Sequence, residues 1–136
     1  MLIRIDIDTP AGESLVDITT QIQQAIIDSS VQEGLAVVFA PHSTAALTLN
    51  SGIDPNTAQD IIDDLRRLVP IRVDFHHIYD TPADAAGHVK SVLVGNSLTL
   101  IISQGQLLLG HSQSILFFEF DGPRRRQVWV RTIADR

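Results

Sequence analysis

The chain has 136 residues, 44% of them apolar and 19% charged, enough for one packed core and unlike a disordered composition. It has no cysteine, so disulfides, thiolate zinc sites and cysteine nucleophiles are excluded, and any metal must rest on His, Asp or Glu. The net charge of −6, with one Lys among ten basic residues, argues against nucleic acid as a partner, because a sequence-independent grip needs a basic surface.

The first strand is expected at residues 2–8, where Leu-Ile-Arg-Ile-Asp-Ile-Asp alternates apolar and polar. That opening lacks a basic stretch followed by an apolar one, so no secretory signal is expected. No apolar run nears the roughly 20 residues of a membrane helix, so the expectation is a cytoplasmic protein with no membrane partner. A short second strand falls near 13–17. From Ile18 the apolar residues Ile22, Ala25 and Ile26 give helical spacing, with Asp17 or Thr19 as cap. Gly34 opens a buried strand over 35–40. A period of two across 42–50 puts His42, Thr44, Thr48 and Asn50 on one face, opposite Leu47 and Leu49.

The next helix is well signalled: Asp54 caps it, Pro55 suits its first position, and Ala58, Ile61, Ile62, Leu65 and Leu68 form a stripe. Arg66 and Arg67 lie at its C-terminal end, where the dipole favours them. A third helix is expected over 84–94, closed by Gly95, with His88 in register with Ala85, Val89 and Val92 and so turned toward the packed side. Strands follow at 97–102, 106–110, 113–121 and 126–133, with tight turns at Ser103-Gln104-Gly105 and Asp121-Gly122-Pro123-Arg124. Strands in local succession point to an antiparallel or mixed sheet with helices packed on it, in the α+β class. No repeat or linker divides residues 1–136.

Five histidines, His42, His76, His77, His88 and His111, are the main chemical resource. Glu119 interrupts an apolar series with Ile115 and Phe117, so it needs a partner or a raised pKa if buried; Asp121 lies on the same face. Asp121 and Arg124 either close a turn as an ion pair or offer a clamp for phosphate or carboxylate. Arg124-Arg125-Arg126 divides between two strand faces, as solvated or interfacial charge or as an anion site. Three imidazoles with an open position suit a catalytic Zn²⁺, while the same groups without metal suit a phosphorylated small molecule.

These residues resemble the YjbQ-like family, also called the secondary thiamine-phosphate synthase family. The resemblance covers nearly the whole chain. It is carried by His42-Ser-Thr-Ala-Ala-Leu-Thr-Leu-Asn50, Asp54-Pro55, Leu68-Val-Pro70, Phe75-His76-His77, Gly87-His88-Val-Lys-Ser, Gly95-x-Ser-Leu, Gly110-x-x-Gln113 and Glu119-Phe-Asp-Gly-Pro-Arg124. It implies a single YjbQ-like domain, a β-sandwich with two to three helices on one side, assembling as a homotrimer with the polar groups in a cleft at subunit boundaries.

By the same resemblance the site histidines are His42, His77 and His88, as metal ligands or proton carriers, with Glu119 as base or as the group orienting an imidazole. His77 is preferred to His76 because the family's His stands two residues after an aromatic, here Phe75. Asn50, Asp54, Asp84 and Gln113 match positions around the cleft; Ser43, Thr44, Asp121 and Arg124 complete the substrate-binding set. The implied cofactor is a divalent metal, Zn²⁺ on three His or Mg²⁺ or Mn²⁺ with a phosphorylated substrate.

The implied activity is transferase chemistry on phosphorylated heterocycles, of the thiamine-phosphate synthase kind. The alternatives are a metal-dependent hydrolase of a small phosphate or ester, and a non-catalytic anion-binding trimer. Where the family reads Gly-Thr-Trp-Gln, this chain has Gly110-His111-Ser112-Gln113, which removes a large aromatic surface and offers His111 as a fourth ligand or an anion contact.

Overall fold

The computed structural model describes all of residues 1–136. Eight strands and three helices follow in the order β1 (Leu2–Asp8), β2 (Gly12–Asp17), α1 (Thr19–Ser29), β3 (Gly34–Phe39), β4 (Ala45–Asn50), α2 (Pro55–Leu68), α3 (Pro82–Val94), β5 (Ser97–Ser103), β6 (Gln106–Leu108), β7 (Ser114–Gly122) and β8 (Arg125–Ala134). The strands form two sheets, β1-β8-β3-β5-β6 and β2-β7-β4. Every strand pair is antiparallel, so the fold is α+β with antiparallel sheets.

Strand β7 explains how the layers stack. Its residues from Ile115 to Phe120 are all buried. Alternation sends Ile115 and Phe117 into the core between the sheets, with Ile7, Leu47, Leu100, Val128 and Val130. Phe118 and Phe120 face the other way, into a smaller core with Ala46 and Ile62 of α2. Helix α1 sends Ile22, Ala25 and Ile26 into the larger core, while α3 packs on β4 and β7 and α2 on β2.

The capping chemistry holds at α2, is extended at α3 and differs at α1, where Ile18 is the cap residue and has no side-chain cap. Asp54 accepts a hydrogen bond from the Asn56 N–H (2.9 Å) ahead of Pro55, as its position predicts. Helix α3 begins earlier than its apolar pattern suggests, because Thr81 caps it, accepting from the Asp84 N–H (3.2 Å), and Pro82 takes the first turn. At α1, Asp17 Oδ1 accepts from both the N–H (3.0 Å) and the hydroxyl (2.6 Å) of Thr19.

Three expectations change. The segment 41–44 is not strand, so His42 and Thr44 do not share a strand face with Thr48 and Asn50; β4 starts only at Ala45. On α3 the packed face is Asp84, Ala85, Ala86, Gly87, Lys90 and Ser91, not the valines, and Val92 is 84% exposed. Ala85, Ala86, Gly87 and Ser91 hold four of those six positions because small side chains let the helix axis approach the strands closely. His88 therefore lies beside the packed face rather than within it. The stripe of α2 is also narrower than its sequence implies, since Leu68 stays largely in solvent.

Candidate metal centre

Asp84 and His88 stand one turn apart on α3, the spacing that brings two side chains to the same patch of helix surface. Thr81 and Pro82 fix where the helix starts and so place Asp84 in its first turn. The third group, His77, comes from the irregular segment between α2 and α3. His77 Nε2 lies 3.0 Å from Asp84 Oδ2, and His88 Nε2 lies 3.3 Å from the same oxygen. The two imidazoles meet edge to face with ring centres 5.1 Å apart. Asp84 is 6% exposed, while both imidazoles are partly open to solvent.

One donor atom from each of His77, Asp84 and His88 falls within a mutual 4.8 Å. A tetrahedral cation with ligand bonds of about 2.1 Å spaces its donors roughly 3.4 Å apart. The two nitrogen–oxygen separations, 3.0 and 3.3 Å, need only small adjustments to reach that. Two His and one carboxylate with an open position is also the donor chemistry that catalytic zinc sites use. Without a cation, the hydrogen bond between His77 Nε2 and Asp84 Oδ2 (3.0 Å) gives the buried oxygen a partner, with His88 Nε2 3.3 Å away. The residues fit either state.

His88 stands between two hollows. The larger, about 660 Å³, is lined by Arg72, Asp74, Phe75, His76, His77 and His88. The Arg72 guanidinium lies 4.0 Å above the Phe75 ring and pairs with Asp74 at 2.8 Å. The smaller, about 400 Å³, is lined by His42, Ser43, His88, Ser91 and Asn96, with no carboxylate, Lys or Arg.

The expected set therefore divides. His77, Asp84 and His88 come together, whereas His42 is outside that donor group and reaches the site only as a wall of the smaller hollow. His42 Nε2 lies 3.0 Å from both the N–H and the carbonyl of Gln127, accepting from one or donating to the other according to its tautomer. Burial, reinforced by the charge of Arg126, pulls its pKa below the ordinary 6.5, so His42 is neutral at neutral pH. Ser43 lines the same hollow. Of the adjacent histidines, His77 joins Asp84, and His76 lines the larger hollow. His111 lies on an exposed turn outside the donor group.

Glu119 has a different environment from a catalytic base. It is fully buried, and its partners are Arg126 Nε (2.8 Å), Arg126 Nη2 (2.5 Å), the Thr9 hydroxyl (2.7 Å) and the Asp121 N–H (3.1 Å); none is an imidazole. Burial alone pushes its pKa up, but the hydrogen bonds from Arg126, Thr9 and Asp121 outweigh it and hold the carboxyl below the ordinary 4.5. With both oxygens occupied, Glu119 holds the two sheets together, since Arg126 belongs to β8 and Glu119 to β7.

The other expected substrate residues have local structural partners. Thr44 is buried and accepts from Arg126 Nη2 (2.9 Å). Asn50 Oδ1 accepts from the Ser51 N–H (2.7 Å) and lines a separate hollow beside α2. Asp54 caps α2, and Gln113 Oε1 accepts from the Gly110 N–H (2.8 Å) to close a turn. Asp121 and Arg124 form an ion pair at 2.9 Å. That hydrogen bond raises the Arg124 pKa, and the charges of Glu119 and Asp84 add to it.

Sequence reasoning treated Arg126 as one charge in a run and passed over Thr9, Gln127 and Arg72. The usable signal was Glu119 itself: a carboxylate in an apolar strand face demands a buried cation, and only one arginine of the triplet turns inward. Arg125 faces out, 3.5 Å from Asp8.

No helix is long and apolar enough to cross a membrane. The family model described as UPF0047 protein YjbQ-like matches residues 3–135. A UPF0047 protein of Methanocaldococcus jannaschii is 46% identical over 136 residues, covering 100% of this chain and 96% of its own length. The UPF0047 protein YugU of Bacillus subtilis is 32% identical, covering 98% and 100%. A crystal structure of a protein from Aeropyrum pernix superposes with a TM-score of 0.93 at 29% identity, over 99% of both chains. A YjbQ/UPF0047-family structure from Clostridium acetobutylicum gives 0.90 at 39% identity, over 96% of this chain and 99% of that one. By sequence over its full length and by fold, this chain belongs to the UPF0047 protein YjbQ-like family.

Proposed function

We propose that this protein is a metal-dependent enzyme acting on small phosphorylated molecules, with His77, Asp84 and His88 as the residues that hold the cation. The observation that carries the reading is the convergence of one buried carboxylate oxygen and two imidazole nitrogens within 4.8 Å. A divalent cation bound there supplies charge stabilisation for phosphate oxygens or a leaving pyrophosphate. The donor set suits Zn²⁺ and also Fe²⁺, and Mg²⁺ or Mn²⁺ gain affinity when a phosphate brings further oxygens.

Two hollows meeting at His88 favour transfer between two reactants over hydrolysis of one, which supports chemistry of the thiamine-phosphate synthase kind. Arg72 on the larger hollow offers a cation for a phosphate. The neutral His42 imidazole, with Ser43 and Asn96, offers hydrogen bonds to an uncharged heterocycle in the smaller. Elemental mass spectrometry on untagged protein tests the reading: one divalent metal per chain in the wild type and none in His88→Ala is the expected result. A metal-free wild type, or a His88→Ala variant with unchanged content, removes it.

A homotrimer with the cleft at subunit boundaries belongs to the same reading. Val73, Ile78 and Tyr79, beside His77, are 90%, 82% and 95% exposed. Leu108, Ile101, Leu35 and Ile133 form a cross-strand row over β6, β5, β3 and β8, with all four side chains exposed. Apolar surface of this extent is characteristic of faces covered by another chain. Light scattering at micromolar concentration is expected to give three chains per particle; a monomer overturns the assembly.

A further inference from the structure

Gly87 lies in the interior of α3, where Ala is the better helix former, so its place there calls for a packing reason. The reason is contact. A Cβ at Gly87 would stand 3.2 Å from Phe120 Cβ, 3.3 Å from Thr44 Cβ and 3.4 Å from Thr44 Cγ2, tighter than ordinary van der Waals separation. One turn further on, the Ser91 hydroxyl donates to the Ala45 carbonyl (2.8 Å). Two successive turns of the helix thus rest directly on the start of β4.

Thr44, the contact beneath Gly87, is itself pinned. Its hydroxyl accepts from Arg126 Nη2 (2.9 Å), and its carbonyl accepts from Arg126 Nη2 (3.3 Å) and the Phe120 N–H (3.2 Å). Arg126 is held in turn by the two-point ion pair with Glu119. All three side chains are buried.

We infer that Gly87 and Thr44 form a seat that sets the height of α3, and that the buried Glu119–Arg126 pair keeps the seat rigid. The seat places Asp84 and His88, which flank Gly87 in the chain, against His77. Because His77 is carried by a separate segment, raising α3 alters the two separations that involve His77 and leaves the Asp84–His88 separation unchanged. Gly87, Thr44, Arg126 and Glu119 are positioning residues, acting through the helix rather than on a ligand.

The inference uses the metal reading only for its affinity readout. Zn²⁺ affinity is measured by competition with a chromophoric chelator for wild type, Gly87→Ala and Ile62→Val. The Ile62→Val variant trims the same small core, and Ile62 is not among the three nearest contacts of a Cβ at Gly87. Gly87→Ala is expected to bind Zn²⁺ about tenfold or more weakly, the range for losing support behind a ligand. Ile62→Val should keep wild-type affinity even where its melting temperature falls as far. Wild-type affinity in Gly87→Ala, or an equal loss in Ile62→Val, overturns the seat.

If the wild type takes up no Zn²⁺, the metal reading fails on its own, and the seat is read in the metal-free protein from the ring ¹⁵N signals of His77 and His88. Gly87→Ala should shift the His77 signal where Ile62→Val does not. An unmoved His77 signal overturns the inference in that case.

Discussion

Glu119→Ala is expected to lower the free energy of unfolding by about 3–5 kcal/mol, the cost of leaving a buried charge without its partner. The removed carboxylate takes two hydrogen bonds from Arg126 and one each from Thr9 and the Asp121 N–H. Arg126 is 7% exposed and cannot turn to water without opening the contact between the sheets. Urea denaturation of the two proteins measures the loss, and a change below about 1 kcal/mol would contradict the network.

The same carboxylate sets the acid limit of the fold. Its native pKa lies below the ordinary 4.5, so the native state binds fewer protons than the unfolded state in that range. Its contribution is complete above pH 4.5 and is lost as pH falls through the native value. His42 acts with the same sign at higher pH: its pKa is lowered from 6.5, so stability declines on acidification below that value. A His42→Gln variant should lose the upper part of this acid dependence and keep the lower.

Asp84→Ala is expected to weaken Zn²⁺ binding by about 100-fold or more, because even a residue that only supports a ligand costs 10–100-fold. His42→Ala is expected to retain stoichiometric metal. The contrast decides between two donor sets, the three histidines implied by family resemblance and the His77–Asp84–His88 group that geometry brings together. Calorimetric titration of both apoproteins with Zn²⁺ makes the comparison. Loss of metal in His42→Ala with retention in Asp84→Ala would reverse the assignment.

Much of the scaffold was legible because local chemistry and tertiary packing agree. The alternation in residues 2–8, the Asp54-Pro55 start and the helical spacing of Ile22, Ala25 and Ile26 each produce the element they announce. The start of α3 was legible too, in Thr81-Pro82, but it carries no apolar periodicity and so escaped a reading based on period. The packed face of α3 misled for a related reason. Hydrophobicity marks Val89 and Val92, but close approach to β4 and β7 selects Ala, Gly and Ser.

Sequence by itself determined that this is a cysteine-free, acidic α+β chain whose chemistry rests on histidines and carboxylates. It also put Asp84 and His88 four residues apart in one expected helix, a local spacing whose use as a pair became evident only in the fold. Only the tertiary structure decided that Asp84 rather than His42 joins His77 and His88, and that Glu119 turns to Arg126 rather than to an imidazole. Both outcomes depend on where separate segments come to lie. His77 sits on an irregular stretch with no period to betray its direction, and Arg126 reaches Glu119 only because strands from two different sheets are stacked face to face. Local periodicity is blind to such contacts: each spans only seven residues, but across an irregular stretch or a turn whose direction is fixed by how the layers pack.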